Sequence, residues 1–204
     1  MRKPKSVKSL EDLGRVRLSN SFYMRDFLYS EVANNYGMPN IPDNPDLAIE
    51  TLTVLCETLL EPLNEIFGRV TIFSGYRSPS VNLFCNEKEL NCASNESNFA
   101  GHICDYLDAD GYKGAAVSVV VPWLAARYAK DGNWQSMAWW IHDNLPYHRM
   151  EFFPKLAAFN IGWREKPARE IYSFISENKG YLTRKGMDNY EGDHSDLYDS
   201  YPEI

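Results

Sequence analysis

The chain has no run of about 18 apolar residues, so nothing in it reads as a membrane span. Its first residues, MRKPKSVKSLEDLG, carry basic charge without the apolar stretch of a signal peptide. The expectation is a protein made and kept in the cytoplasm. Cysteine is scarce: Cys56, Cys85, Cys92 and Cys104 are all there is, and none forms a CxxC pair, which excludes the common cysteine zinc patterns. Cys85 and Cys92 stand near enough to bridge, yet a reducing compartment favours four free or buried thiols. Positive charge is also short, 21 Lys and Arg against 28 Asp and Glu for a net −7. That excess of acid, with no basic face in the sequence, argues against a nucleic-acid backbone as partner. Residues 187–204 contain no Lys or Arg at all; with 179–186 before them they read as a disordered acidic tail suited to binding a partner or covering a site.

What is present points to a folded protein. A content of 44% hydrophobic and 14% aromatic residues in 204 is enough for one domain with a sizeable core. Residues 1–18 read as a flexible lead-in, and 19–178 as the domain. Ser19-Asn20 offers an N-cap for a helix whose apolar residues, Phe22 to Val32, recur near a 3.6 period until Gly37 and Pro39 end it. The longest helix is expected over 46–67, where Leu52, Leu55, Leu59 and Leu63 keep one apolar face. Strands are expected at 70–73, 117–121, 147–153 and 158–163, helices at 123–130 and 134–144, and a strand or short helix at 167–175. The polar passage 86–98 reads as a lid, binding loop or insertion. The fold class is α+β, with N-terminal helices packed on a small, mainly antiparallel sheet.

Candidate chemistry begins at 70–82, VTIFSGYRSPSVN. An Arg placed directly after a buried strand holds five fixed donors at the strand's end, where they can grip a carboxylate or phosphate, or satisfy a structural acid. Further on, His102, Asp105, Asp108 and Asp110 fall within nine residues, but the closing Glu of a calcium loop is missing. His142 and Asp143 end the Trp-rich helix, where a His is favourably placed against the helix dipole.

The "SGYRSP..N" segment and the earlier "LSNSFYMRDFLYSEVA" resemble the opening of the zinc D-Ala-D-Ala carboxypeptidase and endopeptidase family (peptidase family M15, the Hedgehog/DD-peptidase fold). The resemblance implies that Arg77 binds a substrate carboxylate. It also implies a zinc site, which this chain departs from. The run Gly114 to Pro122 resembles the family's G-x-A-x-D-x-x-x-P strand with Ser118 at the ligand Asp. The run Ala157 to Trp163 resembles its last strand with Asn160 at a ligand His. Phe99 falls where the first His belongs, and His102 is a displaced candidate. Glu151 alone matches a catalytic position. Ser and Asn cannot build a tetrahedral zinc site.

The reading is therefore a divergent member that binds a small acidic ligand or a terminal carboxylate in the old cleft without the family's zinc chemistry. Arg77 would be the clamp, Ser78 and Asn82 would orient it, and Ser118, Asn160, Tyr147, Glu151 and His102 would line the cleft, with Trp139 and Trp140 as candidate walls. No cofactor is favoured. A relocated zinc would draw on His102, Asp105, His142 and His148, and Glu151 with His102 would be the acid/base groups of any metal-free chemistry. The competing readings are an active metal-dependent peptidoglycan peptidase, and a protein-interaction module working through the acidic tail.

Overall fold

The computed structural model describes residues 1–202. Among them is an α+β fold built on a six-stranded sheet in the order β1-β2-β4-β3-β5-β6, with β1 (Thr71–Ser74), β2 (Gly114–Val120), β3 (Arg149–Phe152), β4 (Phe159–Arg164), β5 (Glu170–Ser173) and β6 (Gly180–Thr183). All neighbours are antiparallel except β3 and β5. The helices longer than one turn are α1 (Val7–Gly14), α2 (Glu31–Tyr36), the long α3 (Pro45–Leu55, a π-turn at Cys56–Leu60, then Glu61–Phe67), α4 (Pro79–Glu87), α5 (Pro122–Asp131) and α6 (Gln135–Asn144), with a single helical turn at Asn95–Asn98. Among the described residues no helix is long and apolar enough to cross a membrane.

Alternation along the strands decides which face is covered. Ala115, Val117 and Val119 of β2, Phe159 and Ile161 of β4, and Met150 and Phe152 of β3 are fully buried, in one core cluster with Leu52, Leu55, Leu59 and Leu63 of α3. The intervening residues, Ala116, Ser118, Glu151, Asn160 and Tyr172, turn to the other face and stay partly exposed. The long helix and the expected strands at 70–73, 147–153 and 158–163 thus stand within two residues of where the hydrophobic pattern put them, β2 begins three residues before the expected 117, and 167–175 contains the strand β5.

Four expectations need correction. The lead-in is not loose: Ser6 caps α1 by accepting from the Ser9 N–H, and Leu13 is fully buried, so an apolar anchor fixes the segment despite its charge. The first helix is broken into a 3-10 turn at Met24–Phe27 and α2, because Ser30 is extended and caps a new helix that Gly37 ends in the left-handed conformation. The tail is ordered through 202. Strand β6 pairs with β5, and Tyr201 seats its ring 4.8 Å from Trp123 and 5.7 Å from Phe67 while its hydroxyl meets Ser136 Oγ at 2.6 Å; aromatic burial outweighs the charge. Finally, Cys85 and Cys92 form a disulfide, their Cα atoms 5.6 Å apart as such a bridge requires. Only Cys56 and Cys104 are free, both buried.

Candidate functional site

Register across the sheet assembles one row on its open face. Ser118 pairs with Asn160, Asn160 with Glu151 and Glu151 with Tyr172. Side chains in such a row point the same way. Ser118 Oγ donates to Asn160 Oδ1, and Asn160 Nδ2 donates to Glu151 Oε2 at 2.9 Å. These are the three positions that the resemblance implies for a zinc site, and strand register sets them side by side. Their chemistry does not fit zinc: both ends of the Asn160 amide are consumed by neighbours, and Ser118 spends its proton on the amide. Glu151 alone keeps a free carboxylate oxygen, 3.9 Å from Arg149 Nη1.

The row opens into a cleft of about 330 Å³ walled by His102, His148, Arg149, Glu151, Asn160 and Arg164 among others. Gly114, at the start of β2, is required beside it: a Cβ there would meet Ala100 O at 2.5 Å and Trp163 O at 2.8 Å. His102 Nδ1 lies 2.9 Å from Gly75 O. A carbonyl only accepts, so Nδ1 carries the proton and Nε2 its lone pair. Burial, reinforced by the Arg77 charge, pushes this imidazole down to about 3. His148 has the opposite tautomer, since its Nδ1 accepts from the Ala168 N–H at 2.9 Å. Burial and the flanking Arg164 and Arg149 push it down to about 4. The cleft therefore presents one neutral imidazole acceptor, one neutral imidazole donor, a carboxylate and two guanidiniums. Arg149 is paired with Glu170, while Arg164 stands 3.4 Å from Asp108 and donates to Phe99 O.

The other expected site residues lie elsewhere. Arg77 does not wall the cleft: its Nη1 sits 2.6 Å from Cys92 Sγ, and burial pushes its guanidinium down to about 10. Ser78 caps α4 by accepting from the Val81 N–H. Asn82, fully buried, donates to Ala93 O and Asn95 Oδ1, so both hold loops and neither orients Arg77. Asp105 accepts from the Asp43 and Asn44 N–H groups and from the Tyr76 hydroxyl, anchoring the turn that leads into α3. Tyr147 is fully buried, its hydroxyl 2.6 Å from His142 Nδ1. Trp140 packs on Phe67 in the core. Of the four relocated-metal candidates, only His102 and His148 reach the cleft.

His142 belongs to a second cluster, where the tail folds over the end of α6. His142, Asp143 and His194 each offer a ligand atom within 4.8 Å of the others, the one such grouping among the described residues. The adjoining pocket, about 460 Å³, is walled also by Arg169 and 190–193. His194 lies in the acidic segment whose composition predicts disorder, so no local pattern points to it. Its ring stacks 4.2 Å from Trp139, so Trp139 is the wall of this cluster and not of the cleft. Every member already has partners: His142 Nε2 meets Tyr190 O at 3.0 Å, and Asp143 accepts from His194 Nδ1 and from the Tyr198 hydroxyl, both at 2.8 Å.

No protein-family model, no curated protein and no solved structure matches the chain.

Proposed function

We propose that the cleft binds a small carboxylate-bearing ligand, a peptide C-terminus being the form it fits best, without metal chemistry. In this reading the chain is a divergent relative of the zinc DD-peptidases that keeps the cleft and has lost the zinc. The observation that carries it is that one cleft holds two guanidiniums, Arg149 and Arg164, with Glu151 and with Asn160, whose amide is spent on Glu151 and on Ser118 outside the lining. Guanidiniums recognise a carboxylate through paired N–H donors. Glu151 and His102 Nε2 supply the acceptors that peptide N–H groups need. In this reading Arg149 and Arg164 fill the anion-binding role that the family resemblance implies for Arg77. The test is a titration with N-acetyl-dialanine and with its carboxamide, followed by amide chemical shifts or calorimetry. The acid should perturb the Arg149, Glu151 and Arg164 region and lose about tenfold in affinity in Arg164→Gln, the worth of one charge-assisted hydrogen bond. Equal binding of acid and carboxamide, or no response to either at millimolar concentration, would overturn the proposal.

A second reading is favoured by the His142, Asp143 and His194 grouping, a donor set suited to zinc. Such a zinc would tie the tail to α6 and would have to replace the bonds to Tyr190 O and Asn189 O. Elemental analysis of the untagged protein decides it: about one zinc per chain, lost in His194→Ala, supports a metal there, and a metal-free protein with an ordered tail rejects it.

A further inference from the structure

Cys92 and Cys85 stand in opposite surroundings. Cys92 is partly exposed and has the Arg77 guanidinium against its sulfur. Cys85 is fully buried, and its sulfur lies 3.5 Å from Leu90 O. A guanidinium stabilises a thiolate, whereas a carbonyl oxygen accepts only from a protonated thiol. Arg77 has no other charge to answer: it makes no ion pair among the described residues, and its Nε is buried without a partner. An uncompensated, partly buried cation beside one sulfur of a disulfide is what the reduced state of that sulfur would neutralise.

The loop that the bond closes adds a second, independent observation. Glu89 and Asn91 both take positive φ, 55° and 63°, a conformation that costs a residue with a side chain. Both lie inside the loop that the bridge closes. Directly after Cys92, Ala93 begins a stretch in which Ala93, Ser97 and Asn98 wall the cleft, and Ala93 O is gripped by both Asn82 and Asn98.

From these relationships we infer that Cys85–Cys92 is a reversible thiol–disulfide switch in which Cys92 is the reactive sulfur, Arg77 holds its thiolate, and reduction frees the loop that walls the cleft. A dithiol reductant supplies the electrons. Its thiolate attacks the accessible Cys92 sulfur, the S–S bond breaks, and Cys85 leaves and takes up a proton. The reductant's second thiol then attacks its own sulfur of the mixed disulfide. Cys92 is released as the thiolate paired with Arg77, and the reductant departs as a disulfide, oxidised by the two electrons the protein gained.

The remaining thiols keep the test clean. Burial, with the Asp105 charge second, pushes Cys104 up to about 12, and burial with the Glu61 charge pushes Cys56 higher still. The protein is reduced with dithiothreitol, alkylated with iodoacetamide from pH 5 to 10, and each cysteine is followed by peptide mass spectrometry. Cys92 should react with a midpoint at least one pH unit below the ~8.5 of a free thiol, while Cys85 lags. In Arg77→Gln its rate at pH 6.5 should fall about tenfold. Hydrogen exchange of 88–98 should quicken on reduction of the wild type. A wild-type Cys92 midpoint at or above ~8.5 overturns the assignment without needing any variant to fold. Unchanged exchange in 88–98 overturns the coupling to the cleft, and a normal rate in a folded Arg77→Gln removes Arg77 from the mechanism.

Discussion

His194 donates from Nδ1 to Asp143 Oδ1 at 2.8 Å, joining residues 51 positions apart with side chains only 10% and 16% exposed. This contact fastens the tail over the end of α6, and the ring stacked on Trp139 reinforces it. A charge-assisted hydrogen bond that excludes most of the solvent is worth roughly 1.5–3 kcal/mol.

His194→Ala should therefore lower stability by about 1–3 kcal/mol in urea unfolding, and trypsin should cut faster after the exposed Arg184 and Lys185. A variant with wild-type midpoint and wild-type cleavage would mean that Tyr201 alone holds the tail.

Acid should destabilise the protein through His102. Its imidazole is neutral in the fold down to about pH 3, whereas in the unfolded chain it protonates near its ordinary 6.5. The unfolded state thus binds the extra proton between those two values, and the stability present above 6.5 is lost as pH falls toward 3. For one such group the slope reaches at most about 1.4 kcal/mol per pH unit. In His102→Gln the slope between pH 6 and 4 should be shallower by up to that amount, and an unchanged slope would refute the assignment.

Asn160→Asp replaces a donor facing Glu151 with a second carboxylate. Two carboxylates at hydrogen-bond distance cannot both ionise cheaply, so one must take up a proton. The variant should be about 1–3 kcal/mol less stable at pH 7, recovering part of the loss near pH 5. Equal destabilisation at both pH values would place the defect in packing instead of charge.

Gly114→Ala should cost about 1–3 kcal/mol, because the new Cβ meets two backbone carbonyls that cannot rotate away. The displaced Ala100 turn borders the cleft, so ligand affinity should fall in the same variant. Wild-type melting would show that the turn yields freely.

Short-range patterns carried the fold. Leucines at helical spacing fix α3, and the alternation around Ala115, Val117 and Val119 fixes β2, because burial of one stripe or one face is written directly in residue order. The positions Ser118, Glu151 and Asn160 are singled out only by the family resemblance, and strand pairing sets them side by side. The sequence reading went wrong wherever distant partners overrode local character: α1 is held by Leu13 against its basic surroundings, and the acidic tail by Tyr201 and His194.

The sequence by itself determined the α+β class and the core strands, since these depend on residue type and period. Tertiary structure alone decided which polar groups share a space. It set Arg164 in one cleft with Glu151, turned Arg77 toward Cys92, and carried His194 back to Asp143. Each of these brings together side chains whose separation in space has no relation to their spacing in the chain, so only the folded arrangement could fix it.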